Sequence, residues 1–158
     1  MEKEALKRIF EFLEEKGEHK TPFLWKWENG EPLTEEELNI EGDLDLQDRK
    51  ITSLPKGLKI SGWLDLSRSK IKSLPEGLEI GDSLFLVRTS ITSLPKGLKV
   101  GGHLDVTESE LPYYYKNDDH LRKSIEPGFI KGDIISEYYI DYDDYDEADE
   151  YYDDDYDN

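Results

Sequence analysis

GWLDLSRSKIKSLPEGLEIG (residues 62–81) is the stretch that decides the fold. GDLDLQDRKITSLPKGLKIS (42–61) precedes it and DSLFLVRTSITSLPKGLKVG (82–101) follows it. A fourth copy opens at Gly102 as GHLDVTES and then breaks off. A fixed period of this size is the signature of a solenoid, in which each unit buries its apolar face only by stacking on its neighbours.

The apolar positions recur in register. They are Leu44, Leu46, Ile51, Leu54, Leu58 and Ile60 in the first copy, and Leu64, Leu66, Ile71, Leu74, Leu78 and Ile80 in the second. Leu84, Leu86, Ile91, Leu94, Leu98 and Val100 form the third set, and Leu104 and Val106 begin a fourth. Leu-x-Leu has period two, so both leucines point inward from a short strand. Pro55, Pro75 and Pro95 lack an N–H and fix φ, which opposes a helix on the return side. Gly57, Gly77 and Gly97 permit a sharp turn after each Leu-Pro.

This pattern resembles the leucine-rich repeat, in the short twenty-residue form of bacterial and bacteriophage proteins, over about residues 40–108. LDL…ITSLPKGL, LDL…IKSLPEGL and LFL…ITSLPKGL carry the resemblance. It implies a leucine-rich-repeat solenoid with a short parallel β-sheet on the concave face, extended or 3₁₀ return segments, an N-terminal helical cap and an irregular C-terminal cap. It also implies protein binding rather than catalysis. Arg49, Ser69 and Thr89 stand where the family carries Asn, so backbone bonds or the hydroxyls of Ser69 and Thr89 must hold that turn.

A solenoid needs covers at both ends. Residues 1–41 read as the N-terminal cap, with a helix over 2–16 whose face is Leu6, Ile9, Phe10 and Leu13. In FLWKW, Phe23, Trp25 and Trp27 alternate before Asn29-Gly30, which predicts an edge strand and turn. Thr34 and Glu37 have capping-box spacing. The repeats occupy 42–108. Residues 109–135 read as the C-terminal cap, with a short helix over Asp118–Ile125 and Phe129, Ile130, Ile134 and Ile135 closing the last layer. An acidic, tyrosine-rich tail spans 136–158.

Net charge is −18, unevenly spread. From Gly132 to Asn158 there are thirteen acidic residues and no Lys or Arg, which leaves 25 acidic and 20 basic residues in 1–131. That field repels nucleic acid and favours a basic protein surface. Cys is absent, so neither disulfides nor thiolate chemistry is expected. The charged N-terminus is not a signal peptide, and no run approaches a membrane span. A soluble, cytoplasmic protein without membrane contact is the expectation, in the host cytoplasm if the chain is phage-encoded.

On the outward strand face, Asp43, Trp63, Ser83 and His103 form one column and Asp45, Asp65, Phe85 and Asp105 the next. Trp63 and Phe85 are expected partner contacts, or else surfaces covered by the chain's own ends. Arg68 and Arg88, at the strand exits, are candidates to pair with partner carboxylates, or else form a solvated edge. The paired Asp45 and Asp65 lack a convergent third group for catalysis. His103 and Asp105 are too few for zinc. The expectation is no enzyme, no cofactor and no metal.

The tail supplies a second candidate surface: Tyr138, Tyr139, Asp141, Tyr142, Asp143, Asp144, Tyr145, Asp146, Glu147, Asp149, Glu150, Tyr151, Tyr152, Asp153, Asp154, Asp155, Tyr156 and Asp157. Carboxylates there would pair with Lys and Arg while rings stack on guanidinium groups. The favoured reading is a non-catalytic interaction module, of the kind of a bacteriophage inhibitor. Its acidic segment would imitate a polynucleotide and occupy a basic nucleic-acid-binding enzyme or defence complex of the host. The alternatives are an assembly or chaperone-like protein using the concave face, and a calcium-responsive surface protein.

Overall fold

The computed structural model describes residues 2–15 and 22–136. In chain order it contains α1 (Glu2–Glu15), α2 (Phe23–Glu28), β1 (Asn39–Ile40), β2 (Leu44–Asp45), β3 (Lys59–Ile60), β4 (Leu64–Asp65) and β5 (Glu79–Ile80). Then follow β6 (Leu84–Phe85), β7 (Lys99–Val100), β8 (Leu104–Asp105), a 3₁₀ turn (Tyr113–Lys116), α3 (Asp118–Ser124), β9 (Phe129–Ile130) and β10 (Ile134–Ile135).

Each rung gives two short strands, and like strands stack in parallel. β2, β4, β6, β8 and β10 form sheet B, built on the Leu-x-Leu segments. β1, β3, β5, β7 and β9 form sheet A, separated from sheet B by a three-residue corner in each rung. The parallel solenoid expected from the period is present. Its return side is more regular than expected, because the two residues after each Leu-Pro-x-Gly-Leu stretch pair into their own sheet. Register advances by twenty, as in Leu44↔Leu64 and Lys59↔Glu79. The strands are only two residues long, so the stack rather than the single strand carries stability. Leu64, Leu66, Ile71, Leu84, Leu86, Ile91 and Leu98 are fully buried. Each such side chain contributes roughly 1.5–3 kcal/mol of transfer free energy.

Both boundaries of the repeat differ from the sequence reading. At the start, β1 already pairs with β3, so sheet A begins inside the segment assigned to the cap. At the end, the ladder does not stop at Val106. Lys99 pairs with Phe129 and Leu104 with Ile134, an offset of thirty. The 3₁₀ turn and α3 lengthen the return path of the fourth turn, which hides a fixed-period signal. A fifth rung then closes the stack. Ile130-x-Gly132-x-Ile134 matches Ile60-x-Gly62-x-Leu64 and Val100-x-Gly102-x-Leu104 at the corner between the sheets. The glycine answers a close backbone approach: a Cβ on Gly132 would lie 2.7 Å from the Gly102 carbonyl oxygen.

The N-terminal cover is also built differently. FLWKW forms α2, not an edge strand. Helical spacing sends Phe23, Leu24 and Trp27 onto the core. Trp25 turns the other way to meet Phe10 of α1, with ring centroids 5.1 Å apart. Asn29-Gly30 is a helix stop rather than a hairpin turn: the Gly30 N–H donates to the Trp27 carbonyl with φ at +69°. α1 therefore sits on α2. Its expected apolar face leaves Leu6 and Ile9 exposed at 42% and 52%. Thr34 and Glu37 exchange the reciprocal bonds of a capping box, at 2.9 and 3.2 Å.

At the far end, Leu121 and Ile125 are fully buried beneath the last turn. Arg122 completes the cover. In sheet A each rung donates N–H groups to carbonyls of the rung before it, as Gly81 does to Ile60 and Asp82 to Gly62 at the corner. A sixth rung would use the carbonyls of Ile130 and Gly132. The Arg122 guanidinium donates to both.

Candidate functional site: the outward face of sheet B

The outward side chains of sheet B fall in columns, because in-register parallel strands place equivalent residues about 4.8 Å apart. One column runs Asp45, Asp65, Phe85, Asp105 and Ile135 through direct register pairs. Its aspartates have a structural task. Asp45, Asp65 and Asp105 each accept the N–H two residues on, from Gln47, Ser67 and Thr107, at 3.0, 2.8 and 2.9 Å. These bonds fix the strand exit. Asp65 also accepts from Gln47 Nε2 at 2.7 Å. Phe85 is the one position of that repeated column without such a bond to make, and Ile135 ends the column with 39% of its surface exposed.

The neighbouring column links rungs through side chains. Asp43 Oδ1 accepts from the Trp63 N–H at 2.9 Å, and Ser83 Oγ accepts from the His103 N–H at 3.1 Å. His103 Nδ1 accepts from the Asp133 N–H at 2.9 Å. A neutral His103 therefore carries its proton on Nε2. Trp63 takes no such part through its ring. It lies edge-on to Phe85, with centroids 6.4 Å apart and planes at 75°. Both rings are half-buried. The expected aromatic neighbours are thus in contact, surrounded by carboxylates.

Arg68 and Arg88 lie on an exposed edge. Each is already engaged. Arg68 Nε and Nη2 donate to the Asp48 carboxylate at 2.8 and 2.9 Å, and Arg88 donates to Glu108 at 2.6 and 3.0 Å. Hydrogen bonds from the guanidinium groups hold the Asp48 and Glu108 carboxyls below their ordinary values. The same bonds raise both arginines. All four residues have φ between +53° and +58°, the left-handed region that suits glycine. No glycine marks this strained turn in the sequence, so only the backbone reveals it. The turn after it is held by hydroxyls and backbone. Thr89 Oγ1 donates to the Leu86 carbonyl at 2.7 Å, and Ser69 N–H bonds the Leu66 carbonyl at 3.1 Å.

A surface groove escaped the sequence reading. A groove of about 920 Å³ lies along the outward side of sheet A, between Phe23 and Glu36 at one end and Phe129 and Lys131 at the other. Its charges answer one another. Lys99 and Lys59 both reach Glu79 Oε1, at 3.1 and 3.8 Å, and Lys131 lies 5.6 Å from the Phe129 ring centre.

Among the described residues, no three His, Asp or Glu gather to hold a metal ion. None of the helices described is long and apolar enough to cross a membrane. The tail candidates, Tyr138 through Asp157, lie outside the described residues. Compared with known proteins, the chain matches no family model, no curated protein and no solved structure.

Proposed function

We propose that this protein is a non-catalytic interaction module, related to the short leucine-rich repeats, that docks on a basic protein surface through the outward face of sheet B. The observation that carries this reading is the Trp63–Phe85 pair. Two half-buried rings meet on a face where Asp43, Asp45, Asp65, Asp105 and Asp133 supply carboxylates on the same or neighbouring rungs. The core does not need them there, since the inward leucines fill it. Exposed aromatics ringed by polar groups are the usual anchors of protein interfaces. The carboxylates around them repel acidic partners and steer basic ones.

The acidic end favours a second element of the same reading. Thirteen acidic residues and no cation between Gly132 and Asn158 make that end a ligand for a cationic channel. A basic nucleic-acid-binding protein offers such a channel. An inhibitor of bacteriophage type, imitating a polynucleotide, is the form of this proposal that the tail supports.

Affinity capture from a bacterial lysate tests both elements. The baits are the full chain, the full chain with Trp63→Ala and Phe85→Ala, and a chain ending at Ser136. A basic protein held by the full chain and lost by the double variant supports the sheet B face. Loss only on shortening moves the site to the tail. Retention by all three baits rejects both surfaces.

A further inference from the structure

We propose that the Phe85 position reads an arginine side chain of the partner. The inference rests on the sheet B face being the docking surface, and it names what that face recognises. Register sets the Phe85 ring in one column between Asp65 and Asp105, with a carboxylate on the rung to either side. Trp63 stands nearly perpendicular to that ring. The site therefore offers an aromatic corner flanked by two negative charges.

The two carboxylates are not equivalent. Asp65 has both oxygens engaged, one by the Ser67 N–H and one by Gln47 Nε2. Asp105 Oδ1 accepts from Thr107, while its Oδ2 takes no hydrogen bond among the described residues. The nearest cations do not fill this demand. Arg68 and Arg88 spend their forked donors on Asp48 and Glu108. Of charged or titratable groups the outward columns otherwise hold Asp43, Asp45, Asp133 and His103, whose Nδ1 takes the Asp133 N–H, and no lysine. Among the described residues, the face thus keeps an excess of negative charge, which a cationic partner would answer.

A guanidinium fits this corner better than an ammonium. It is planar and weakly hydrated, it stacks on an aromatic face, and it forks two donors toward one carboxylate. The ring and the free oxygen of Asp105 would be used together. A lysine would use the charge without the stacking.

The test is a titration of the full-length protein followed through the indole N–H resonance of Trp63, assigned with a Trp63→Phe variant. The probes are blocked Gly-Arg-Gly, Gly-Lys-Gly and Gly-citrulline-Gly peptides at low salt. The Trp63 signal is expected to move saturably with the arginine peptide, about ten-fold more weakly with lysine, and not at all with citrulline. Asp105→Asn and Phe85→Leu should each weaken the arginine response about ten-fold. The same spectra report whether each variant is folded. Equal response to citrulline, no response at Trp63, or an unchanged Asp105→Asn titration would overturn the inference. If lysate capture still depends on Trp63 and Phe85 while the arginine peptide leaves Trp63 still, the docking surface stands and its preference for arginine is wrong. If capture ignores both rings, the docking surface itself is wrong.

Discussion

Sheets A and B share every rung and one core, yet their outward faces are finished differently. On sheet A, Lys59, Glu79 and Lys99 stand in one column, and both lysines reach the one Glu79 carboxylate across the rungs. Its last carbonyls are taken by Arg122. On sheet B, the aspartates bond to backbone N–H groups rather than to cations, so their charge stays on the surface. Two rings interrupt them. The same periodic sequence therefore makes one face that satisfies itself and one that does not. The docking face proposed above is the one whose charges and rings are left over after the fold has used what it needs.

The most damaging way to break this comparison is to remove what the two sheets share. Leu66→Ala should lower stability by about 2–5 kcal/mol, since that side chain is fully buried between them. Denaturation followed by backbone amide resonances from β3 and from β4 should give one common transition. Separate transitions would mean that the sheets are not one core.

The next effect should be confined to sheet A. Arg122→Ala removes two charge-assisted bonds to terminal carbonyls, and a loss of about 2–3 kcal/mol is expected. Hydrogen exchange should quicken first at the N–H groups of Phe129 and Lys131, which donate to Leu98 and Val100. Uniform quickening along the stack would show that Arg122 supports more than the last rung.

Binding and stability should then separate between the faces. Phe85→Ala is expected to reduce capture of a basic partner strongly while changing stability by about 1 kcal/mol. Glu79→Gln on sheet A should leave capture unchanged and shift stability by less than about 1 kcal/mol, as exposed ion pairs do. The reverse result would move the docking surface to the groove of sheet A.

Backbone strain at the edge of sheet B gives a smaller contrast. Arg68→Ala and Arg68→Gly both lose the pair with Asp48, but glycine accepts φ of +56° and alanine does not. The glycine variant should melt a few degrees higher than the alanine variant.

The smallest expected effect depends on pH. Folding lowers the pKa of Asp48 and Glu108 from ordinary values of 3.8 and 4.5. The stability they add is therefore whole above that range, and it disappears as pH falls through the lowered values. An Asp48→Asn, Glu108→Gln variant should be slightly less stable than the parent at neutral pH. The two should converge in acid, with a shallower slope for the variant below about pH 5. A thermal-melt series across that range would show it.

The middle rungs were legible because one residue type does one job there. Leucines at a fixed spacing can bury themselves only by stacking, so Leu64 and Leu84 declare a solenoid without coordinates. The ends were not legible, because covering a stack is a matter of shape. Phe23 to Trp27 alternate as a strand would, yet a helix puts Trp27 on the core and Trp25 on Phe10. The fifth rung was hidden by the longer fourth turn, although the Ile130-x-Gly132-x-Ile134 spacing carried its mark. At the site, the columns of Trp63, Phe85 and the aspartates followed from period alone. Which groups were already in use did not follow. In the sequence Arg68 and Arg88 read as partner contacts or a solvated edge. Only their position one rung from Asp48 and Glu108 occupies them.

By itself, then, the sequence determined the coil, its core and the order of side chains along each outward column, because a repeat maps spacing directly onto position. Tertiary structure decided how the two ends are closed and which charges remain available. Those outcomes depend on contacts between residues eight to thirty positions apart, where backbone direction and side-chain reach set the partner.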